Sequence, residues 1–146
     1  MVEHEPQRLD WSRIEFFWTD ERAVPPTSPD SNYSLARELW LEPLGVPAER
    51  IHRMPGEAAH LDQAAGAYAD VLTRIAGKPP RLDYVLLGVG SDGHVASLFP
   101  DHPTLRDKRP VLTIQDAPIP PAMRLSLSLR VLANAARVVI VAFGTT

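Results

Sequence analysis

Residues 82–100 read LDYVLLGVGSDGHVASLFP, an apolar run from Leu82 to Leu87 that passes into three glycines and then a histidine. The run is apolar on both of its faces, which suits a central strand covered on each side better than one with a wet face. At Gly88 the strand gives way to a loop whose glycines accept positive φ and can turn amide donors toward an anion or a developing oxyanion. Asp92 and His94 stand on that loop.

Working outward, the chain alternates strand-like and helix-like segments. Arg13 to Trp18 (RIEFFW) is a short apolar strand, ending at the charged loop Thr19-Asp20-Glu21-Arg22 and the pair Pro25-Pro26. Ser28 to Ser31 supplies capping side chains for a helix carrying Leu35, Ala36, Leu39 and Trp40, closed by Pro43 and Gly45. Ile51 to Met54 forms a brief extended piece. Leu61, Ala65, Tyr68, Leu72 and Ile75 recur at three- and four-residue steps and predict the longest helix, ended by Gly77 and Pro79-Pro80. Two later strands are expected at Leu125 to Leu129 and Val138 to Phe143, with a helix around Val131 to Ala136. Such alternation predicts one α/β domain spanning 1–146, a Rossmann-like, mostly parallel sheet flanked by helices. In such sheets ligands bind beyond the carboxyl ends of the strands, so the loops at Asp20 to Arg22 and Gly90 to His94 are expected to share one site.

Composition narrows the function. The 146 residues are 45% hydrophobic, enough for one core, and the formal net charge of −3 argues against a protein built to neutralise a nucleic-acid backbone. With no cysteine there is neither a disulfide framework nor a thiolate metal site, and neither a membrane span nor a signal peptide is visible; a cytoplasmic protein is expected. The fifteen prolines fall between periodic segments as loop punctuation. Trp11, Trp18 and Trp40 read as packing residues, and Lys108-Arg109-Pro110 as a solvated loop.

The chemistry gathers on few residues. Gly88 to Gly93 matches G-x-G-x-x-G, with Asp116 as the acid to seek for a ribose, but Pro100 and Pro103 leave too little helix after it for a dinucleotide pyrophosphate. A histidine can be present as a free base near neutrality and take a proton, so His94 suits the activation of water; a plain Asp92-Gly93 turn is the bland alternative. Five histidines show no metal-ligand spacing, so no metal is expected. Arg22 and Arg124 can each offer a planar fork to phosphate or carboxylate, which suits a small anionic metabolite.

Together, WSRIEFFWTDERAVPPTSPDSNY (residues 11–33) and LDYVLLGVGSDGHVASLFPDHPTL (residues 82–105) resemble the 6-phosphogluconolactonase branch of the family that also holds glucosamine-6-phosphate isomerases. The resemblance runs from about Leu9 to the C-terminus and covers only the middle of the family chain, which has a further strand and glycine-rich Ser/Thr loop before it and a lysine-bearing segment after it. It implies a Rossmann-like fold and hydrolysis, without metal or cofactor, of a phosphosugar lactone, 6-phospho-D-glucono-1,5-lactone. It implies that His94 is the general base, that Asp92 orients it, and that Arg22, Arg124, Asp20, Gly90 and Gly93 contact substrate or its phosphate. The isomerase branch carries a proton-shuttling glutamate where this chain has Phe99, which favours the hydrolase. A sugar-phosphate-binding remnant of weak activity is the alternative. With only the middle of the family domain present, exposed sheet edges favour self-association.

Overall fold

The computed structural model describes residues 9–142, so Phe143 of the last expected strand lies outside them. Asp10 caps a 3-10 turn at Trp11–Arg13, and of the first expected strand only Phe16–Phe17 (β1) is ladder-paired, parallel to Ile51–His52 (β3). The buried Tyr68 hydroxyl donates to the His52 carbonyl at 3.0 Å and receives the Trp18 N–H at 2.9 Å, tying the two short strands at their carboxyl ends. Burial pushes the Tyr68 phenol above its ordinary value.

Asp20–Arg22, expected as a loop, is a strand, β2, antiparallel to Arg124–Leu127 (β6). Charge hides the alternation: Asp20 and Arg22 point one way, while the residue between them that turns inward is Glu21, 2% exposed. Val111–Ile114 (β5), absent from the sequence reading, completes this antiparallel sheet in the order β2-β6-β5. The α/β class and the parallel pairing are borne out, with this antiparallel sheet added. Lys108 and Arg109 before β5 are exposed, as a solvated loop requires.

Val85–Gly88 (β4) pairs in parallel with Val138–Val141 (β7). The expectation of cover on both faces is corrected: Val85 and Leu87 are buried, but Leu86 is 60% exposed. The reason is local. Among the described residues β4 has a ladder partner on one edge only, and Leu86 lines an open groove of about 900 Å³ shared with Phe16 and Trp18. Trp11 and Trp40 are partly buried against the core that contains Trp18.

Ser31 accepts from Ser34 N–H and starts Asn32–Ala36 (α1), which runs on into a π turn over Arg37–Leu41. Leu35 and Leu39, expected on the core face, point outward, while Leu41 is buried. Leu61–Ala76 (α2) forms as its periodicity demands, ends at Gly77 with φ +86°, and packs on β5. Leu129–Ala133 (α3) follows Ser128, whose side chain caps it, two residues earlier than expected. Leu72, Leu87, Phe99, Leu112, Ile114, Leu125 and Leu127 belong to one buried cluster under the site.

Candidate active site

β1 and β4 both deliver their carboxyl ends to a cleft of about 270 Å³, lined by Asp20, Arg22, Asn32, Gly90, His94 and Arg124 among others. The two loops expected to share a site do meet, although one of them is a strand.

The glycine loop is shaped around His94. Gly90 N–H donates to the His94 carbonyl and Gly93 N–H to the Gly90 carbonyl, both at 2.9 Å, and Gly93 sits at φ +87°, where a side chain is strained. Those two amides therefore hold the loop and do not point at a ligand. A side chain at Gly90 has no room, since its Cβ would overlap the His94 ring. His94 Nδ1 lies 2.6 Å from Asp92 Oδ1, and the same carboxylate oxygen accepts the His94 N–H at 3.2 Å. The hydrogen bond from the His94 side chain holds the Asp92 carboxyl below its ordinary range. With Nδ1 engaged, Nε2 is the nitrogen left for a substrate or water. Asp92 and Gly93 lie behind the imidazole, outside the cleft lining, while Gly90 is part of the wall.

After His94 the chain turns sharply. Ala96 takes φ +50° and Leu98 N–H bonds the Val95 carbonyl, which carries Ser97 beneath β2. There the fully buried Ser97 hydroxyl donates to Asp20 Oδ2 at 2.7 Å, and Asn32 Nδ2 reaches Asp20 Oδ1 at 3.2 Å. Burial raises the Asp20 carboxyl above its ordinary value, opposed by the Ser97 hydrogen bond and by Arg22, Arg124 and His94.

Glu21 anchors this arrangement from below. Its carboxylate accepts the N–H groups of Arg22, Asn32 and Tyr33 and the Ser31 hydroxyl at 2.8–2.9 Å, so it ties β2 to the start of α1. Arg22 reaches the Asp30 carbonyl through Nη1, and its Nε is buried with no partner among the described residues. Arg124 is 3% exposed; Nε and Nη2 donate to the carbonyls of Pro121, Ile119 and Pro120. Burial, with Arg22 nearby, lowers its affinity for its proton.

The sequence reading missed Ser97 and Asn32 and gave Glu21 no role of its own. Ser97 sits between Ala96 and Leu98 in an apolar stretch, so periodicity carried no signal; Asn32 follows a segment already read as capping. Among the described residues, no three of His, Cys, Asp and Glu converge as metal ligands, and no helix is long and apolar enough to cross a membrane.

A parallel-paired α/β fold with a polar cleft at its strand ends, holding a carboxylate-bound histidine and two arginines, defines a Rossmann-like α/β domain. The chain belongs to the glucosamine-6-phosphate isomerase/6-phosphogluconolactonase family, whose model matches residues 1–146. It is 36% identical over 146 residues to a 6-phosphogluconolactonase of Streptomyces coelicolor, covering 93% of this chain and 56% of that protein. It is also 36% identical over 148 residues to the chloroplastic 6-phosphogluconolactonase 3 of Arabidopsis thaliana, with 94% and 45% covered. The crystal structure of 6-phosphogluconolactonase from Thermotoga maritima superposes with a TM-score of 0.84 at 29% identity, over 92% of this chain and 59% of that one. The chain thus spans about half the length of the curated relatives it matches.

Proposed function

We propose that this chain hydrolyses 6-phospho-D-glucono-1,5-lactone with His94 as general base. The observation that carries the reading is the His94–Asp92 contact at 2.6 Å on the wall of a cleft shared with Arg22 and Arg124, in a chain whose relatives bear the name of this activity. A lactone is an activated ester, so a positioned water and a base supply most of what its hydrolysis requires.

In this reading, water gives a proton to His94 Nε2 as its oxygen bonds the lactone carbonyl carbon. The tetrahedral intermediate then collapses, the bond to the ring oxygen breaks, and that oxygen takes the proton back from the imidazolium. The new carboxylic acid ionises to solvent, leaving the enzyme unchanged. Asp92 keeps the proton of the neutral ring on Nδ1 and stabilises the imidazolium. Arg22 and Nη1 of Arg124 are the donors for the phosphate; Asp20 and the Gly90 wall border the sugar. The site needs no cofactor for this chemistry.

The test is loss of 6-phosphogluconolactone above its spontaneous rate with the purified chain, and its disappearance in His94→Ala. No acceleration by the unmodified chain, or an undiminished rate in the variant, overturns the reading. Binding without turnover is the second reading, favoured by the commitment of Arg124 Nε and Nη2 to backbone carbonyls, which weakens the phosphate grip. Calorimetry with 6-phosphogluconate on an inactive chain distinguishes it, since absence of binding at millimolar ligand removes it. Isomerase chemistry stays disfavoured because Phe99 carries no exchangeable proton. We further infer a cytoplasmic location and self-association through the open edge at β4; sedimentation of Leu86→Lys against the unmodified chain tests the latter.

A further inference from the structure

Phe99 is one of the most deeply buried side chains in the fold, at 2% exposure, yet it touches two groups of the cleft. Its ring centroid lies 4.7 Å from that of His94, tilted by 37°, and the Arg124 guanidinium carbon sits 5.7 Å from the same ring. Arg124 cannot drift away, because three carbonyls hold it. His94 is fixed on its other side by Asp92.

We propose that Phe99 is a positioning residue for His94, an inference that rests on the reading of His94 as a base and adds a role for its aromatic neighbour. The ring does two things. As a rigid buried plate it limits rotation of the imidazole about its bond to the chain, keeping Nδ1 on Asp92 and Nε2 in the cleft. As a π system it attracts cations at its face, so it favours the imidazolium that forms when water loses its proton.

That second effect has an opponent to offset. The groups facing His94 are Asp92 on its own loop, Asp20 and Arg22 on β2, and Arg124 on β6. The carboxylates favour the charged ring and the two guanidiniums oppose it. Phe99 occupies the position beside both His94 and Arg124, where a side chain without a π face leaves their repulsion unrelieved.

The experiment compares the unmodified chain with Phe99→Leu and Phe99→Tyr, with Phe99→Met replacing the leucine variant if that one does not fold. The first readout is independent of activity: the His94 ring is followed through its titration by NMR, assigned with His94→Gln. The ring is expected to lose its proton at lower pH in Phe99→Leu and at the unmodified pH in Phe99→Tyr. The second is the pH profile of lactone hydrolysis, where Phe99→Leu is expected to lower kcat about tenfold, with KM within about twofold, and to move the acid limb to lower pH, while Phe99→Tyr restores both. Identical His94 titration in all variants overturns the inference whether or not lactone is turned over. A shifted titration in a chain that hydrolyses nothing leaves the positioning role standing and removes the lactonase reading instead.

Discussion

Ser97, with no exposed surface, donates its hydroxyl proton to Asp20 Oδ2 at 2.7 Å across seventy-seven residues of sequence. This bond joins the turn after His94 to the strand carrying Arg22, so the two halves of the cleft share one buried contact. Replacing Ser97 with Ala removes the donor and leaves a buried carboxylate short of a partner. The expected loss is about 1–2 kcal/mol in thermal or denaturant unfolding. The sign with pH follows from Asp20, whose carboxyl is already raised by burial and rises further without the hydroxyl. A carboxyl raised in the folded state favours folding when protonated, and that contribution is lost as pH climbs from the unfolded value through the folded one. The variant is therefore expected to lose more stability at neutral than at acid pH, and an equal loss at both rules out this role for the bond.

Glu21 makes a second, sharper case. Its carboxylate accepts from three N–H groups and one hydroxyl, all in the junction between β2 and α1. Glu21→Gln keeps the shape but turns an NH₂ group toward those donors. A loss of about 2–3 kcal/mol is expected, seen as a fall in Tm of roughly 4–10 °C. An unchanged Tm contradicts the anchoring role.

How much of this was legible depended on whether side chains announced their direction. Helix α2 was readable because five apolar residues keep one face, and Gly77 closes it where the spacing ends. β2 was not, because its inward residue is a glutamate and a charged triplet resembles a solvated loop. β5 was hidden by its brevity between Pro110 and a polar stretch, and the exposed Leu86 by an open groove that an apolar sequence cannot signal. Of the cleft, residue chemistry and family resemblance named His94, Arg22 and Arg124, which line it together, and Asp92, which bonds the imidazole. Ser97 and Asn32 act through partners far away in sequence, which no local pattern contains.

Gly90→Ala addresses the histidine directly. A Cβ at this position overlaps the imidazole, so the ring must leave its place or the loop must shift. A displacement of about 1 Å is enough for a hundredfold loss in kcat, which is the expected outcome in the lactonase assay. Stability should change little, because the loop is exposed around Asp92 and Gly93. A variant with near-normal kcat shows that the observed ring position is not the working one.

The arginines should separate by experiment. Arg22 holds one carbonyl and its buried Nε has no partner among the described residues, whereas Arg124 holds three carbonyls near the start of β6. Arg22→Gln is expected to weaken 6-phosphogluconate binding by about tenfold, as loss of a charge-assisted hydrogen bond predicts. Its effect on Tm should be small. Arg124→Lys loses the planar fork that holds the Pro121, Ile119 and Pro120 carbonyls and leaves a buried cation with fewer partners, so a stability loss of about 1–2 kcal/mol is expected alongside any loss of affinity. The reverse pattern, with Arg22 needed for folding and Arg124 for binding alone, overturns this assignment of roles.

The last prediction concerns acid pH and the Asp92–His94 pair. The hydrogen bond from His94 depresses the Asp92 carboxyl, so the folded chain holds it ionised more strongly than the unfolded chain does. A depressed carboxyl contributes stability above its unfolded value, near 3.9, and loses it as pH falls through the folded value. In His94→Gln the ring is gone, and Asp92 is expected to titrate closer to that unfolded value. Carboxyl-detected NMR of the two proteins between about pH 2 and 6 spans the window in which an ordinary aspartate titrates. The Asp92 carbon resonance should move upward in pH in the variant, while Asp107, held low by Arg109 in a separate loop, should not move. A common shift of both indicates a global change in the fold, and no shift at Asp92 means that the close contact with His94 does not persist in solution.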